Sequence, residues 1–439
     1  MFENVIVDQN PHWEGKYYEE GVKRDVLDVL KKYVELPHII SIVGVRRGGK
    51  STLLKQLINY LLKVKKVVPK NILFLNLESP YFSRYKDDVM YLEKIYEDYL
   101  KIASPEGKVY FLLDEVHYFL EWQVFLKAHY EQKNVKFVIT GSNSRLLSSE
   151  LITLLSGRTI PVEVYPFSFM EFLSSRNIDV SNGVSLIKQR HMIKRVLDEY
   201  LRYGGFPEIA FVTEKETARE ILAMYARNIL YQDIAARFKV KKAGDLDNLF
   251  FYLISHVSSL YSYNNLSKLF DLTDKTIKEY LNYFSDAFLL FTVDAFSFSV
   301  KKQIKSPKKI YVVDTGMAGS LSFKFSENIG HFLENMVFLE LRRQGKEIFY
   351  YRTENGLEVD FICRNEKKIH FLVQATKELG EDRTRDREVR ALTKAMEETN
   401  VKTGFIVTYE EEGEIKKDGF VIPVIPSYKF FTDIHSFIH

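Results

Sequence analysis

Gly44-Val45-Arg46-Arg47-Gly48-Gly49-Lys50-Ser51 fits the phosphate-binding loop pattern G-x-x-x-x-G-K-[ST] at every fixed position. Its flanks fit as well. His38-Ile39-Ile40-Ser41-Ile42-Val43 is an apolar, β-branched run that reads as a buried strand, and Thr52-Leu53-Leu54-Lys55-Gln56-Leu57-Ile58 opens a helical pattern directly after the loop. The backbone N–H groups of such a loop, added to the positive end of the following helix, bind phosphate oxygens. The pattern therefore assigns phosphate contacts to the stretch from Gly44 to Thr52. It places the Lys50 ammonium on the β- and γ-phosphates and the Ser51 hydroxyl on Mg²⁺, so ATP with Mg²⁺ is the expected ligand. The plainer reading is a Gly-rich strand-to-helix turn with no ligand.

The residues downstream decide between the two. Asn71-Ile72-Leu73-Phe74-Leu75-Asn76 reads as a second strand. Val109-Tyr110-Phe111-Leu112-Leu113 is continuously apolar, as parallel strands buried on both faces are. It ends in Asp114-Glu115, so a buried strand delivers two carboxylates at its C-terminal edge. Asp114 would hold Mg²⁺ through water, and Glu115 would orient and deprotonate the attacking water. Without the upstream loop the pair would read as a cap on the next helix. Lys136-Phe137-Val138-Ile139-Thr140 is a fourth strand running into Gly141-Ser142-Asn143-Ser144. There Thr140 and Ser142 either touch the γ-phosphate or its water, or form a turn with a helix N-cap at Ser142 or Asn143. Thr159–Val164 is a fifth strand, with Gly157-Arg158 directly before it. Strands alternating with helices give a parallel α/β sheet.

The chain has 439 residues, room for about three domains at ~150 residues each. Hydrophobic residues make up 46% and charged residues 28%, which places it among globular proteins rather than disordered ones. A net charge of +3 is too slight to argue for nucleic acid from the total, so any basic surface must be local. The single Cys363 excludes a disulfide framework and fits a reducing cytosol. Met1-Phe2-Glu3-Asn4-Val5 has no cationic region followed by an apolar core, and no uncharged apolar run approaches the ~20 residues needed to span a bilayer. A cytoplasmic protein with no membrane partner is expected.

Four regions are expected: an ATPase α/β domain over 1–165, a helical lid over 166–240, a winged helix over 241–320 and a C-terminal domain over 321–439. The lid rests on helical spacing at Ile193, Val196, Leu197 and Leu201. In the third region, helices at Leu246–Ser258, Leu266–Leu272 and from Asp274 precede strands at Leu289–Phe296 and Lys309–Val313. Lys275 and Lys278 on the third helix suit a recognition helix. Lys301-Lys302-Gln303-Ile304-Lys305-Ser306-Pro307-Lys308-Lys309 has five Lys and no acid and reads as a cationic wing touching DNA phosphates. A solvated loop on a winged helix used only for packing is the alternative. The last region reads α-β-β-β-α-β, with a helix from Gly330 to Arg343 and strands at Ile348–Arg352, Leu357–Ile362 and His370–Lys377. A helix over 384–397 and strands over 403–408 and 419–424 complete it.

The chain resembles AAA+ and STAND-type P-loop ATPases, and within them the archaeal and bacterial family that carries a C-terminal nuclease-like domain. The resemblance runs through Asp8-Gln9-Asn10-Pro11-His12-Trp13, the phosphate-binding loop, Leu113-Asp114-Glu115, Thr140-Gly141-Ser142 and Leu155-Ser156-Gly157-Arg158. It continues through Pro166-Phe167-Ser168-Phe169 and Tyr203-Gly204-Gly205-Phe206-Pro207-Glu208. It implies an arginine finger at Arg158 that reaches the γ-phosphate of a neighbouring subunit, hence a homo-oligomer. It also implies a lid turn near the nucleotide at Gly205 and Pro207. The bland readings are a surface Arg and a helix-to-helix turn. The last region resembles the PD-(D/E)XK nuclease superfamily, in which a helix Glu, a strand Asp and a Glu-x-Lys hold Mg²⁺ and activate water. Glu334 and Asp360 match the first two positions. Gln374 stands where Glu is expected and Thr376 where Lys is expected, and Lys377 falls on the other side of a regular strand. Gln is a weaker ligand for a hard cation and Thr supplies no cationic stabiliser, so little or no cleavage is expected. The sequence thus reads as an ATP-hydrolysing ATPase acting on or with DNA. The alternatives are a nucleotide-dependent switch or scaffold working without DNA, and a metal-dependent nuclease.

Overall fold

In a computed structural model the chain is described at residues 1–132, 134–142, 155, 157–180, 183–321, 329–365, 368–380 and 382–438. It divides into two units: Met1–Tyr165 with Asp286–Phe288, and Pro166–Ser285 with Leu289–His439. Among the described residues no helix is long and apolar enough to cross a membrane.

The first unit is built on five parallel strands: β1 (Ile39–Gly44), β2 (Ile72–Asn76), β3 (Val109–Asp114), β4 (Val135–Gly141) and β5 (Thr159–Val164). Their order is β2-β3-β4-β1-β5. β1 is buried along its whole length, as a central parallel strand between two helical layers must be. The helix Lys50–Lys63 covers one face with Leu53, Leu54, Leu57, Ile58 and Leu61, all fully buried. Because every strand points the same way, Gly44, Asp114 and Gly141 all arrive at one edge of the sheet. That edge is where a ligand finds loops rather than side-chain layers.

β2 lies at the open edge, where unpaired backbone groups would invite another strand. The amino-terminal segment satisfies them with side chains. Asn10 accepts from the Phe74 N–H at 2.7 Å and donates Nδ2 to the Phe74 carbonyl at 2.9 Å, copying a ladder pair. Gln9 Oε1 accepts from the Asn76 N–H at 2.6 Å, and Trp13 Nε1 donates to the Ile72 carbonyl at 2.9 Å. His12 Nε2 lies 3.0 Å from that same carbonyl. The Gln9-Asn10-Pro11-His12-Trp13 motif therefore has a structural role, closing the sheet without a sixth strand.

In the second unit, helices Arg190–Tyr203 and Lys215–Asn228 both pack on the helix Thr315–Leu321. The expected lid is thus packed into the region C-terminal to it and is no separate body. The helices Ala243–Ser255, Tyr263–Phe270 and Asp274–Asp286 come next. They are joined by a small antiparallel sheet of β6 (Leu260–Tyr261), β7 (Leu290–Val293) and β8 (Lys308–Val312), in the order β6-β8-β7. The segment between β7 and β8 is not a plain loop: Val300–Lys305 is a helical turn capped by Ser299. The final region follows the helix Ile329–Arg343 with β9 (Glu347–Arg352), β10 (Glu358–Asn365) and β11 (Lys368–Thr376). The helix Asp382–Thr399 then leads to β12 (Gly404–Thr408), β13 (Gly413–Lys417) and β14 (Phe420–Pro426). The sheet order is β13-β14-β12-β11-β10-β9, and β13 is a hairpin partner the sequence reading lacked.

His12 is buried with no compensating charge, and burial lowers its pKa from 6.5 to about 4. The unfolded chain therefore binds the proton first, so stability is full above pH 6.5 and falls as pH drops from 6.5 towards 4. We expect the urea midpoint of the wild type to fall across that window and that of His12→Gln to fall less. Parallel pH dependences in the two proteins would contradict this placement.

Candidate functional site

The chain leaves β1 where a side chain cannot fit. Gly44 has φ +154°, and a Cβ there would lie 2.0 Å from the Val164 carbonyl oxygen at the end of β5. Gly49 has φ +96° and caps the helix that starts at Lys50, and Arg47 also takes a positive φ, of 65°. These turns wrap the loop around the helix start, whose first-turn amides, at Lys50, Ser51 and Thr52, have no carbonyl of their own helix to bond. Lys50 is buried, and its Nζ donates to the Gly44 and Val45 carbonyls, both at 3.1 Å.

β3 and β4 supply the acids. Thr140 Oγ1 donates to Asp114 Oδ1 at 2.5 Å and accepts from the Glu115 N–H at 2.9 Å, so one hydroxyl sets the positions of both acidic residues. Ser51 also hydrogen-bonds Asp114, and burial raises the Asp114 pKa, with the neighbouring Glu115 charge adding to it. A buried carboxylate beside a P-loop serine, short of positive charge, fits a hydrated Mg²⁺. Glu115 adopts left-handed backbone with φ 55°, which turns its side chain out of the strand. Its Oε1 is 3.7 Å from Lys50 Nζ, while its buried Oε2 makes no hydrogen bond among the described residues and has His117 Nδ1 3.4 Å away. An acceptor left in this state can take a proton from a water. Gly44 to Thr52, Asp114, Glu115 and Thr140 thus gather at one edge. Ser142 is buried just beyond β4, and Asn143 lies outside the described residues.

Arg158 is elsewhere. Its carbonyl accepts from the Ile39 N–H, at the start of β1, and its side chain pairs with Glu131 at 3.2 Å over the Tyr130 ring. The pairing of Ile39 with Thr159 and Gly44 with Val164 puts the P-loop at the other end of β5, about 20 Å away at ~3.3 Å per residue. Arg158 cannot serve the phosphates of its own subunit.

Three contributors escaped the sequence reading. Arg24, 4% exposed, donates from Nη1 to the Gly48 carbonyl at 2.9 Å and from Nη2 to the Tyr165 carbonyl at 2.7 Å. It ties the loop to the end of β5. Glu78, just past β2, pairs with Arg46 at 2.5 Å and accepts from the Tyr118 hydroxyl at 3.0 Å. Arg24, Glu78 and Tyr118 belong to no motif, and only the fold brings them close.

Gly205 and Pro207 belong to the second unit. The Gly205 N–H donates to Asp314 Oδ2 at 2.7 Å and its carbonyl accepts from the Phe167 N–H at 2.7 Å. A Cβ on Gly204 would lie 2.0 Å from Asp314 Oδ1, and one on Gly316 would lie 2.1 Å from the Tyr203 carbonyl carbon. The Gly204-Gly205 pair is what lets these segments meet over the fully buried Asp314.

The C-terminal acids do converge. Glu334 lies on the helix Ile329–Arg343 and Asp360 on β10, and Gln374 on β11 accepts from the Asp360 N–H at 3.2 Å. Gln374 also donates to Glu388 Oε2 at 2.5 Å, an acid on the helix Asp382–Thr399 that the motif does not include. Thr376 turns to the Glu378 carbonyl, and Lys377 sits 3.7 Å from the Glu378 carboxylate. Among the described residues no group of three or more His, Cys, Asp or Glu is arranged to hold a metal ion. A cation from the chain itself lies among these acids: Lys309 Nζ donates to Glu334 Oε1 at 2.9 Å and to Asp360 Oδ1 at 2.8 Å, and pairs with Glu358 at 2.9 Å. This corrects the cationic wing. Lys309 is 2% exposed and Lys308 pairs with Asp294, so only Lys301, Lys302 and Lys305 remain for outside contacts.

A P-loop joined to a strand-end Asp-Glu pair on a five-stranded parallel sheet defines an AAA-type P-loop domain. The comparison of sequences agrees: residues 37–173 match the AAA domain, residues 194–328 match a domain of unknown function (DUF8612) and residues 329–428 match another (DUF4143). The chain belongs to the family of an uncharacterized protein of Methanocaldococcus jannaschii, to which it is 33% identical over 98% of this chain and 95% of that one. An uncharacterized protein of Haemophilus influenzae is 34% identical over 82% of this chain and 88% of its own length. Among solved structures, Aeropyrum pernix ORC1 in complex with DNA covers 69% of this chain and 93% of its own, at 13% identity and a TM-score of 0.32. AMPPCP-bound DnaA from Aquifex aeolicus covers 63% and 92%, at 16% identity and 0.28. Likenesses that slight carry no conclusion about this chain.

Arg24→Ala should cost about 1.5–3 kcal/mol in urea unfolding, the scale of hydrogen bonds from a charged group, and should weaken ATP binding. Arg24→Lys should not restore either, because a single ammonium cannot span two carbonyls as a guanidinium fork does. ATP affinity unchanged in Arg24→Ala would show that the loop needs no such tie.

Proposed function

We propose that this protein is an ATPase that hydrolyses ATP with Mg²⁺ and acts on or with DNA. The observation that carries the first half is the Thr140 hydroxyl bridging Asp114 and Glu115 beside Lys50. In this reading the amides from Gly44 to Thr52 and the Lys50 ammonium bind the phosphates. Ser51 and Asp114 would hold Mg²⁺, which supplies positive charge against the phosphate oxygens. Glu115 Oε2, which makes no hydrogen bond among the described residues, takes the proton of the attacking water, and Thr140 keeps its backbone in place. Arg158, barred from its own site by the length of β5, serves only a neighbouring copy, as a finger in a homo-oligomer. The domain layout that goes with this reading is an ATPase domain over 1–165, a helical region over 166–240, a winged helix over 241–320 and a nuclease-like domain over 321–439.

The second half is supported by the three helices and the β6-β8-β7 sheet, an order that suits a winged helix. At its tip Phe298 is 79% exposed, Val300 70% and Ile304 69%, interleaved with Lys301, Lys302 and Lys305. Exposed cations beside exposed apolar groups suit a nucleic acid backbone and groove.

Lys50→Ala should abolish ATP binding, whereas Glu115→Gln should bind ATP and hydrolyse it at least about a hundredfold more slowly. Equal turnover in the wild type and Glu115→Gln would remove Glu115 from the mechanism. Replacing Lys301, Lys302 and Lys305 with Gln should weaken binding to duplex DNA irrespective of its sequence. It should also make log K against log salt shallower by about 2–3 units, through lost counter-ion release. An unchanged slope would leave the winged helix as a packing module.

A further inference from the structure

β8 and the acidic cluster of the C-terminal domain meet within the second unit, and the meeting is built from both backbone and side chains. The Phe296 N–H donates to the Tyr350 carbonyl at 2.7 Å and the Tyr350 N–H to the Asp294 carbonyl at 3.1 Å, so the β7 end of the hairpin joins the β9 edge of the six-stranded sheet. The Tyr350 hydroxyl donates to the Pro307 carbonyl at 2.5 Å. From β8, Lys309 then reaches between the helix Ile329–Arg343 and β10. Its ammonium has three hydrogens and faces three carboxylates, those of Glu334, Glu358 and Asp360, at 2.8–2.9 Å. Tyr311, two residues on and on the same side of β8, donates its hydroxyl to Glu334 Oε1 at 2.7 Å. Asp360 Oδ2, the oxygen Lys309 does not hold, accepts from the Ala375 N–H at 3.0 Å. A cavity of about 560 Å³ opens beside the cluster and is lined by Gln374, Arg387 and Glu388 as well as the acids. The cluster is therefore within reach of a dissolved ion, yet its cation is a side chain from the neighbouring module.

We propose that Lys309 occupies, as a tethered cation, the place in which Glu334 and Asp360 would otherwise hold a divalent metal ion, so that docking of the β7–β8 hairpin and metal binding exclude each other. This exclusion is independent of the ATPase reading and comes from valence and geometry. A buried ammonium that donates to both carboxylates stands where a bridging ion would stand, and two cations cannot share that place. Without Lys309 the buried Glu334 and Asp360 carboxylates would carry uncompensated charge, which a protein interior tolerates only if an ion or protons replace the lost partner. Gln374 fits the same account. Its neutral amide ties Asp360 to Glu388, where a carboxylate at 374 would add a further negative charge between two acids. Burial alone would lower the Lys309 pKa, but the Asp360 and Glu334 carboxylates outweigh it and hold the ammonium protonated well above the usual lysine range. The hairpin is thus latched to the C-terminal domain by the domain's own acids, and movement of β8 would be the event that uncovers them.

The test uses the nucleotide-free full chain and Mn²⁺, followed by electron paramagnetic resonance of free Mn²⁺ and by thermal melting. The wild type and Asp360→Asn should show the same Mn²⁺ uptake, because Lys309 fills the site. Lys309→Met should melt about 6 °C or more below the wild type without metal, since breaking one partner of a buried ion pair is costly. Mn²⁺ should raise its melting temperature and bind at least about tenfold more tightly than to the wild type. Both effects should vanish in Lys309→Met/Asp360→Asn. Wild-type Mn²⁺ binding that depends on Asp360 would overturn the proposal, and so would a Lys309→Met protein as stable as the wild type and indifferent to Mn²⁺. If Lys309→Met fails to fold, the wild-type comparison with Asp360→Asn decides alone.

Discussion

Everything at the nucleotide edge depends on how the chain can leave β1. The Val164 carbonyl at the end of β5 fills the space a side chain at position 44 would need, so only glycine can stand there. The backbone turns at once, runs through Arg47 and Gly49 in left-handed geometry, and presents the start of the helix Lys50–Lys63 to whatever lies beyond the sheet. Arg24 closes the arrangement from outside by holding Gly48 and Tyr165 in one fork. Given that exit, parallel pairing does the rest. β3 and β4 must end at the same edge, and the Thr140 hydroxyl fastens their ends together, which sets Asp114 and Glu115 where the loop can use them.

The five strands and their parallel direction were legible in the sequence, as was the placing of Asp114, Glu115 and Thr140 at strand ends. Each rests on local chemistry: glycines where φ is positive, continuous apolar runs where both faces are buried, acids at strand ends. The helix-and-strand order of the C-terminal region was legible for the same reason, except the short helices Ser427–Thr432 and His435–Ile438 and β13, whose Gly413-Glu414-Ile415-Lys416-Lys417 is too polar and short to announce a strand. What could not be read were partners supplied by distant chain. Arg24 lies far from any motif, and its guanidinium is placed by the return of β5. The run from Lys301 to Lys309 looked like one cationic surface because charge and spacing do not reveal which side of β8 faces inward.

Besides its apolar core, the second unit uses buried charge in two different ways. Asp314, whose pKa burial raises to about 6, offsets that cost by accepting from the N–H groups of Gly205, Gly316 and Met317, and so draws two backbone segments together around two glycine positions. Lys309 works in the opposite sense, as one cation gathering acids from a helix and a strand. The geometry is specific because an unpaired buried charge is so unfavourable. The same logic explains the amino-terminal Gln9-Asn10-Pro11-His12-Trp13, whose side chains stand in for a strand at the β2 edge.

The proposed ATP site at the ends of β1, β3 and β4 has an acid edge suited to a metal ion. Calorimetric titration of the full chain with ATP, with and without Mg²⁺, tests it most directly. One ATP should bind per chain, with an affinity that rises with Mg²⁺ in the wild type and loses that gain in Asp114→Asn. Binding that is absent, or equally strong with and without Mg²⁺ in both proteins, would contradict it.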